Sequence, residues 1–82
     1  MIELKNINLD GVTIMRQINK IYEEVNEFEM AVIMGDIDNS IEEFFDVVQA
    51  SLGALHKMGL SAEYVMEQYP KHIEKLKFRP RD

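Results

Sequence analysis

Thr13-Ile14-Met15-Arg16-Gln17-Ile18-Asn19-Lys20-Ile21-Tyr22-Glu23-Glu24-Val25-Asn26-Glu27-Phe28-Glu29-Met30-Ala31-Val32 is the stretch that decides the fold. Its apolar positions Ile14, Ile18, Ile21, Val25, Phe28 and Val32 recur at intervals of 4, 3, 4, 3 and 4. That rhythm keeps one stripe on one side of an α-helix, where a strand would alternate. Thr13 carries the hydroxyl of an N-cap. Gly35 and the polar Asp36-Ile37-Asp38-Asn39 end the helix in a short connection. A second helix is expected behind Asn39 or Ser40 as cap, with Ile41, Phe44, Phe45, Val48, Leu52 and Leu55 as its stripe. Gly59 stops it after Lys57-Met58. Ser61 caps a third helix with Val65, Tyr69, Ile73 and Leu76 as its inner side. Pro70, inside that pattern, either kinks the helix or opens a fresh one as its first residue. Residues 2–9 read equally as a short strand or an extended arm. The expected architecture is all-α, an antiparallel helical hairpin plus a C-terminal helix.

Eighty-two residues make one domain, 1–82, with 1–10 as the arm or strand and 80–82 as a tail. A chain of this size buries a modest core and gains stability from disulfides, a metal or a partner subunit. It has no cysteine, which removes disulfides and thiolate metal sites. No apolar run approaches the roughly 20 residues of a membrane span, and Met1-Ile2-Glu3-Leu4-Lys5 lacks a signal-peptide pattern, so no membrane association and a cytoplasmic location are expected. Nine basic against 15 acidic residues give a net charge of −6, which argues against nucleic acid as a partner. The charge is also segregated. No Lys or Arg lies between Ile21 and His56, a stretch holding nine acids, whereas Lys71, Lys75, Lys77, Arg79 and Arg81 dominate the last twelve residues. Such a division serves solubility, or it sets a cation site beside an anion-binding tail.

Helical geometry sorts the acids. At about 100° per residue, with Ile14 at zero, Glu24 falls near 280° and Glu27 near 220°, one turn apart, with Lys20 between them at about 240°. Glu23 falls near 180°, away from the stripe. On the second helix, with Ile41 at zero, Glu43 falls near 200° and Asp46 near 140°, and Ala50, Gly53 and Ala54 continue at about 180°, 120° and 220°. Small residues in a row let another helix or a flat ligand approach closely, and a mid-helix glycine costs about 1 kcal/mol against alanine. Helix two thus has two faces to cover, which implies a homodimer completing a four-helix bundle, or a dimer of such dimers.

Glu24 and Glu27 on one helix, with Glu43 and Asp46 on the next, make a candidate hard-cation site, because Mg²⁺ takes oxygen ligands. The plainer reading is a solvated acidic face. It is weakened by the lack of basic partners between 21 and 56, since like charges at this spacing repel. A calcium loop opening at Asp36-x-Asp38-x-Ser40 fails, with Ile41 where glycine is needed and Val47 where glutamate is needed. His56 and His72 have no histidine at ligand spacing.

Glu23-Glu24-x-x-Glu27, followed after fifteen residues by Glu43-x-x-Asp46, resembles the EExxE…ExxD signature of the MazG-like all-α nucleoside triphosphate pyrophosphohydrolases. Lys20-Ile21-Tyr22 ahead of it looks like that family's lead-in. His72-Ile73-Glu74-Lys75-Leu76-Lys77-Phe78-Arg79 resembles its terminal run, so the likeness covers about residues 13–79. The resemblance implies hydrolysis of a nucleoside triphosphate to the monophosphate and pyrophosphate, in nucleotide pool control or house-cleaning. Mg²⁺, or Mn²⁺ as substitute, would sit on Glu24, Glu27, Glu43 and Asp46. Glu23 would take an outer role, Lys20, Lys75 and Arg79 would meet the phosphate chain, and the base and sugar would lie along the small residues Ala50, Gly53 and Ala54. The competing class is a non-catalytic acidic helical dimer acting as a binding or regulatory module.

Overall fold

The computed structural model describes residues 9–79. They form four helices, α1 (Ile14–Ile33), α2 (Ile37–Lys57), α3 (Ala62–Glu67) and α4 (Tyr69–Leu76), and no strand is found among the described residues. The strand-or-arm reading of residues 2–9 falls, apart from Leu9, outside the described residues. Leu9 itself is tied down, its carbonyl accepting from Val12 N at 3.1 Å and from Lys57 Nζ at 3.3 Å.

Local chemistry sets the helix ends. Thr13 Oγ1 accepts the Arg16 N–H at 3.1 Å, and Ser61 Oγ accepts that of Tyr64 at 3.1 Å, as their side chains suggest. The α1–α2 turn has only Met34, Gly35 and Asp36. Gly35 adopts φ 71°, a left-handed conformation that glycine takes without strain. Its N–H reaches Val32 O at 3.0 Å and the Asp36 N–H reaches Ala31 O at 3.1 Å, which satisfies the last carbonyls of α1. Asp36 then caps α2, its Oδ1 accepting the Asn39 N–H at 3.1 Å. The cap is therefore Asp36 and not Asn39 or Ser40. An aspartate that already ends one helix can start the next without intervening residues.

The third helix is two. The Gln68 N–H turns back to Val65 O and ends α3, and Pro70 stands in the first turn of α4, where a missing N–H costs nothing. Pro70 is the second residue of the fresh helix rather than the first. Val65 and Leu76 are half-buried as expected, whereas Tyr69 and Ile73 are exposed.

The main packing is α1 on α2, along a face turned away from the centre of the apolar stripe. Buried on α1 are Gln17, Glu24 and Ala31, seven residues apart; Ala50, Leu52 and Gly53 are buried on α2, and Ile18, Ile21, Phe28, Val48 and Leu55 of the stripes are half-buried. Ile14, Val25 and Val32, expected to face the hairpin partner, are exposed, as are Ile37, Ile41 and Phe45 on α2. The small residues explain the rotation. A Cβ on Gly53 would stand 2.7 Å from Gln17 Nε2, so the glycine leaves the room that the Gln17 amide occupies. Phe28 and Phe44 close one edge of the seam, with ring centroids 6.2 Å apart. Among the described residues Ala31, Ala50 and Leu52 are the buried hydrophobic ones and no large side chain is fully buried, so the hairpin has a thin core of its own.

Candidate metal centre

The centre of the α1–α2 seam is acidic. Glu24 and Glu27 come from α1, one turn apart, and Glu43 comes from α2. One carboxylate oxygen of each lies within 4.8 Å of the others. Glu24 is only 6% exposed, Glu43 is half-buried and Glu27 is exposed. Three of the four expected ligands therefore converge. Asp46, one turn beyond Glu43, is exposed and stands outside that group. Its charge still bears on Glu43, so it flanks the cluster.

The electrostatics show what the cluster lacks. The Glu43 carboxyl titrates above its ordinary range, first because it has lost water, then because of a hydrogen bond with Glu27 and the charges of Glu27, Asp46 and Glu24. Its Oε2 is buried with no hydrogen-bond partner. Native structures rarely leave such an atom unpaired. Three hard oxygen donors, mutual repulsion and an orphaned buried oxygen together fit a divalent cation such as Mg²⁺. On the other flank, Lys20 Nζ lies 3.0 Å from Glu24 Oε1 and 3.7 Å from Glu23 Oε2. The hydrogen bond to Glu24, and then its charge, raise the Lys20 pKa. Glu23 is exposed and points out of the seam toward Lys20.

Two clefts flank the acids along α1. One, of about 490 Å³, runs past Glu27 and Glu43 over Met30, Ala31 and Met34, with Asn26, Asp36 and Asn39 beside them. The other, of about 340 Å³, is lined by Val12, Arg16, Gln17, Asn19, Lys20 and Glu23. Ala50 and Gly53 border neither. They sit inside the seam against Gln17, whose Nε2 donates to Ala50 O at 2.9 Å. The row of small residues thus receives α1 of the same chain, whose Gln17 fills the expected place for a base and sugar at Ala50 and Gly53. Lys75 and Arg79 are exposed, in α4 and just beyond it, and make no ion pair with the acids among the described residues. Sequence reasoning missed Gln17 and the lining residues Asn26, Asn39, Met30 and Met34. The spacing of seven from Gln17 to Glu24, beside an unexplained Gly53, was the available signal.

The raised pKa of Glu43 has a definite sign. Protonation favours the fold: this stabilisation is fully present below the unfolded carboxylate range and is lost as pH rises through the raised value. Cation binding needs the opposite, ionised form. Mn²⁺ affinity, read by electron paramagnetic resonance, is expected to fall on acidification by about tenfold per pH unit once below that pKa. A pH-independent affinity across the acid range would show that Glu43 is no ligand.

No curated protein and no solved structure matches the chain. The phosphoribosyl-ATP pyrophosphohydrolase family matches residues 5–72, a span that contains the whole acidic cluster and both clefts and stops short of Lys75 and Arg79. With most of its length inside that match and its acids gathered across an α-helical hairpin, the chain belongs to the phosphoribosyl-ATP pyrophosphohydrolase family, of the MazG-like all-α type.

Proposed function

We propose that the chain hydrolyses a nucleoside triphosphate, adding water at the α-phosphorus and releasing the nucleoside monophosphate and pyrophosphate. Mg²⁺, or Mn²⁺ in its place, would be held by Glu24, Glu27 and Glu43, with Asp46 completing the set from the next turn. The observation that carries this reading is the convergence of three carboxylates from two helices around a buried oxygen without a partner. A divalent cation supplies the positive charge that phosphoryl transfer at the α-phosphorus requires. The chain's residues do the rest. Glu24 is fixed by burial and by the Lys20 ammonium, so it cannot turn away from the seam. Lys20, with Arg16 in the same cleft, offers positive charge to the phosphate chain. The cleft over Met30, Ala31 and Met34 offers an apolar floor to the base, and Asn26 and Asn39 offer amides to its edge. Lys75 and Arg79 belong to the phosphate chain only if α4 of a second copy brings them near.

The proposal includes a homodimer. The exposed stripe of Ile14, Val25, Val32, Ile37 and Ile41 leaves the hairpin half covered, and a second hairpin offers the same stripe in return.

Canonical and oxidised nucleoside triphosphates, together with phosphoribosyl-ATP, are to be incubated with the protein and Mg²⁺, and the products read by phosphorus NMR. One pyrophosphate per monophosphate is expected for at least one of them. Orthophosphate with a nucleoside diphosphate would reassign the bond. Tight Mn²⁺ binding without turnover on any substrate would favour a binding or regulatory module.

A further inference from the structure

We infer that Gln17 is a positioning residue for the carboxylate cluster: its side-chain amide, bonded to the Ala50 carbonyl, holds α1 on α2 at the end of the seam far from the turn and so keeps Glu24 opposite Glu43. This rests on the cation reading of the cluster. Gln17, Glu24 and Ala31 step by seven along α1, and Ala50 and Glu43 step by seven down α2 toward its cap, Asp36, in the turn. The structure joins each pair: Gln17 Nε2 to Ala50 O at 2.9 Å, Glu24 to Glu43 in the carboxylate group, and Asp36 N to Ala31 O at 3.1 Å. The first and last are hydrogen bonds, and they bracket the middle pair.

The middle pair cannot hold itself, because its members are like charges. Ala31, Ala50 and Gly53 cannot hold it either, because small side chains interdigitate shallowly and slide cheaply. The three-residue turn fixes the helices at one end of the seam, but without a tie at the other end they can splay or rotate, enough to take Glu24 away from Glu43. The Ala50 carbonyl already serves the α2 backbone and has a second lone pair for the amide. Access to it depends on Gly53, since a Cβ there would meet Gln17 Nε2 at 2.7 Å and Cδ at 3.3 Å. Gln17 is only 6% exposed, so the bond is shielded from water. Gln17 stands two turns from Glu24, about 10 Å along the helix, and so acts on the cluster through the packing of α1 on α2.

The test uses Gln17→Met, which keeps length and loses the donor, and Gly53→Ala, which improves helix propensity but crowds the amide. Leu52→Ala, at a buried position of α2 that bears neither a carboxylate nor the Gln17 bond, is the control for lost stability. Mn²⁺ affinity is expected to weaken by about three- to tenfold in Gln17→Met and Gly53→Ala, the worth of one neutral hydrogen bond. Leu52→Ala should lower the melting temperature and leave Mn²⁺ affinity unchanged. That packing is read without metal by Glu24→Cys/Glu43→Cys in this cysteine-free chain, whose disulfide yield should drop when Gln17→Met is added. The inference is overturned if that yield is unchanged, or if Leu52→Ala weakens Mn²⁺ as much as Gln17→Met does. If the parent binds no Mn²⁺, the cation reading fails, and the disulfide yield still decides whether Gln17 holds α1 in place.

Discussion

Glu43→Gln is expected to cut turnover by about a thousandfold or more while raising the melting temperature of the metal-free protein by several degrees. Few substitutions at a functional site move activity and stability in opposite directions so far. Here the structure gives both a reason. Glu43 faces Glu24 and Glu27 across the seam with one buried oxygen unpartnered, and its carboxyl is pushed toward the neutral form. An amide removes the repulsion and can donate to a neighbouring carboxylate, so the apo fold gains. The same change removes an anionic ligand from a site that must offset developing phosphate charge. Mg²⁺ should raise the melting temperature of the parent and do so far less in the variant. Glu24→Gln should follow it closely in turnover. Asp46→Asn should lose only about ten- to a hundredfold, because Asp46 is exposed and outside the carboxylate group. Calorimetric melting with and without Mg²⁺, beside initial rates, reads all of this. Wild-type turnover in Glu43→Gln would remove the site altogether.

Ile41→Asp is the second change with a large expected effect, and its target is far from the acids. In a lone hairpin Ile41 is 54% exposed, so the substitution would alter stability by less than about 1 kcal/mol. At the centre of a symmetric apolar interface the same carboxylate meets its own copy without water, at a cost of about 3 kcal/mol or more. Sedimentation of the parent should give a dimer whose melting temperature rises with concentration, and Ile41→Asp should give a monomer or an unfolded chain. A parent that sediments as a folded monomer at micromolar concentration, with Ile41→Asp equally stable, would overturn the dimer.

The helices and most of their ends were legible because they rest on local chemistry. Thr13 and Ser61 cap, and Gly35 and Gly59 terminate, through atoms a few residues apart. The α2 cap was misplaced because Asp36 does two jobs, and a sequence read one helix at a time assigns a residue to one of them. The direction in which the helices meet was not legible. An apolar stripe shows which face avoids water, and both a chain's own hairpin partner and a second copy satisfy it. Gln17 against Gly53 decided the matter, through a close approach that no periodicity records. At the site, the i, i+3 acids converged as their spacing suggested, since one helical turn is the only geometry needed for Glu24 with Glu27. Asp46 shares that spacing with Glu43, but spacing along one helix does not say which of two neighbours reaches across to the other.

The three-residue turn from Met34 to Asp36 makes the hairpin intolerant of length changes in its history. Deleting or inserting one residue at that turn would shift all three layers at once, and Glu43 would no longer meet Glu24. Length changes beyond the Gln17–Ala50 end, on the side away from the turn, would leave those layers in step.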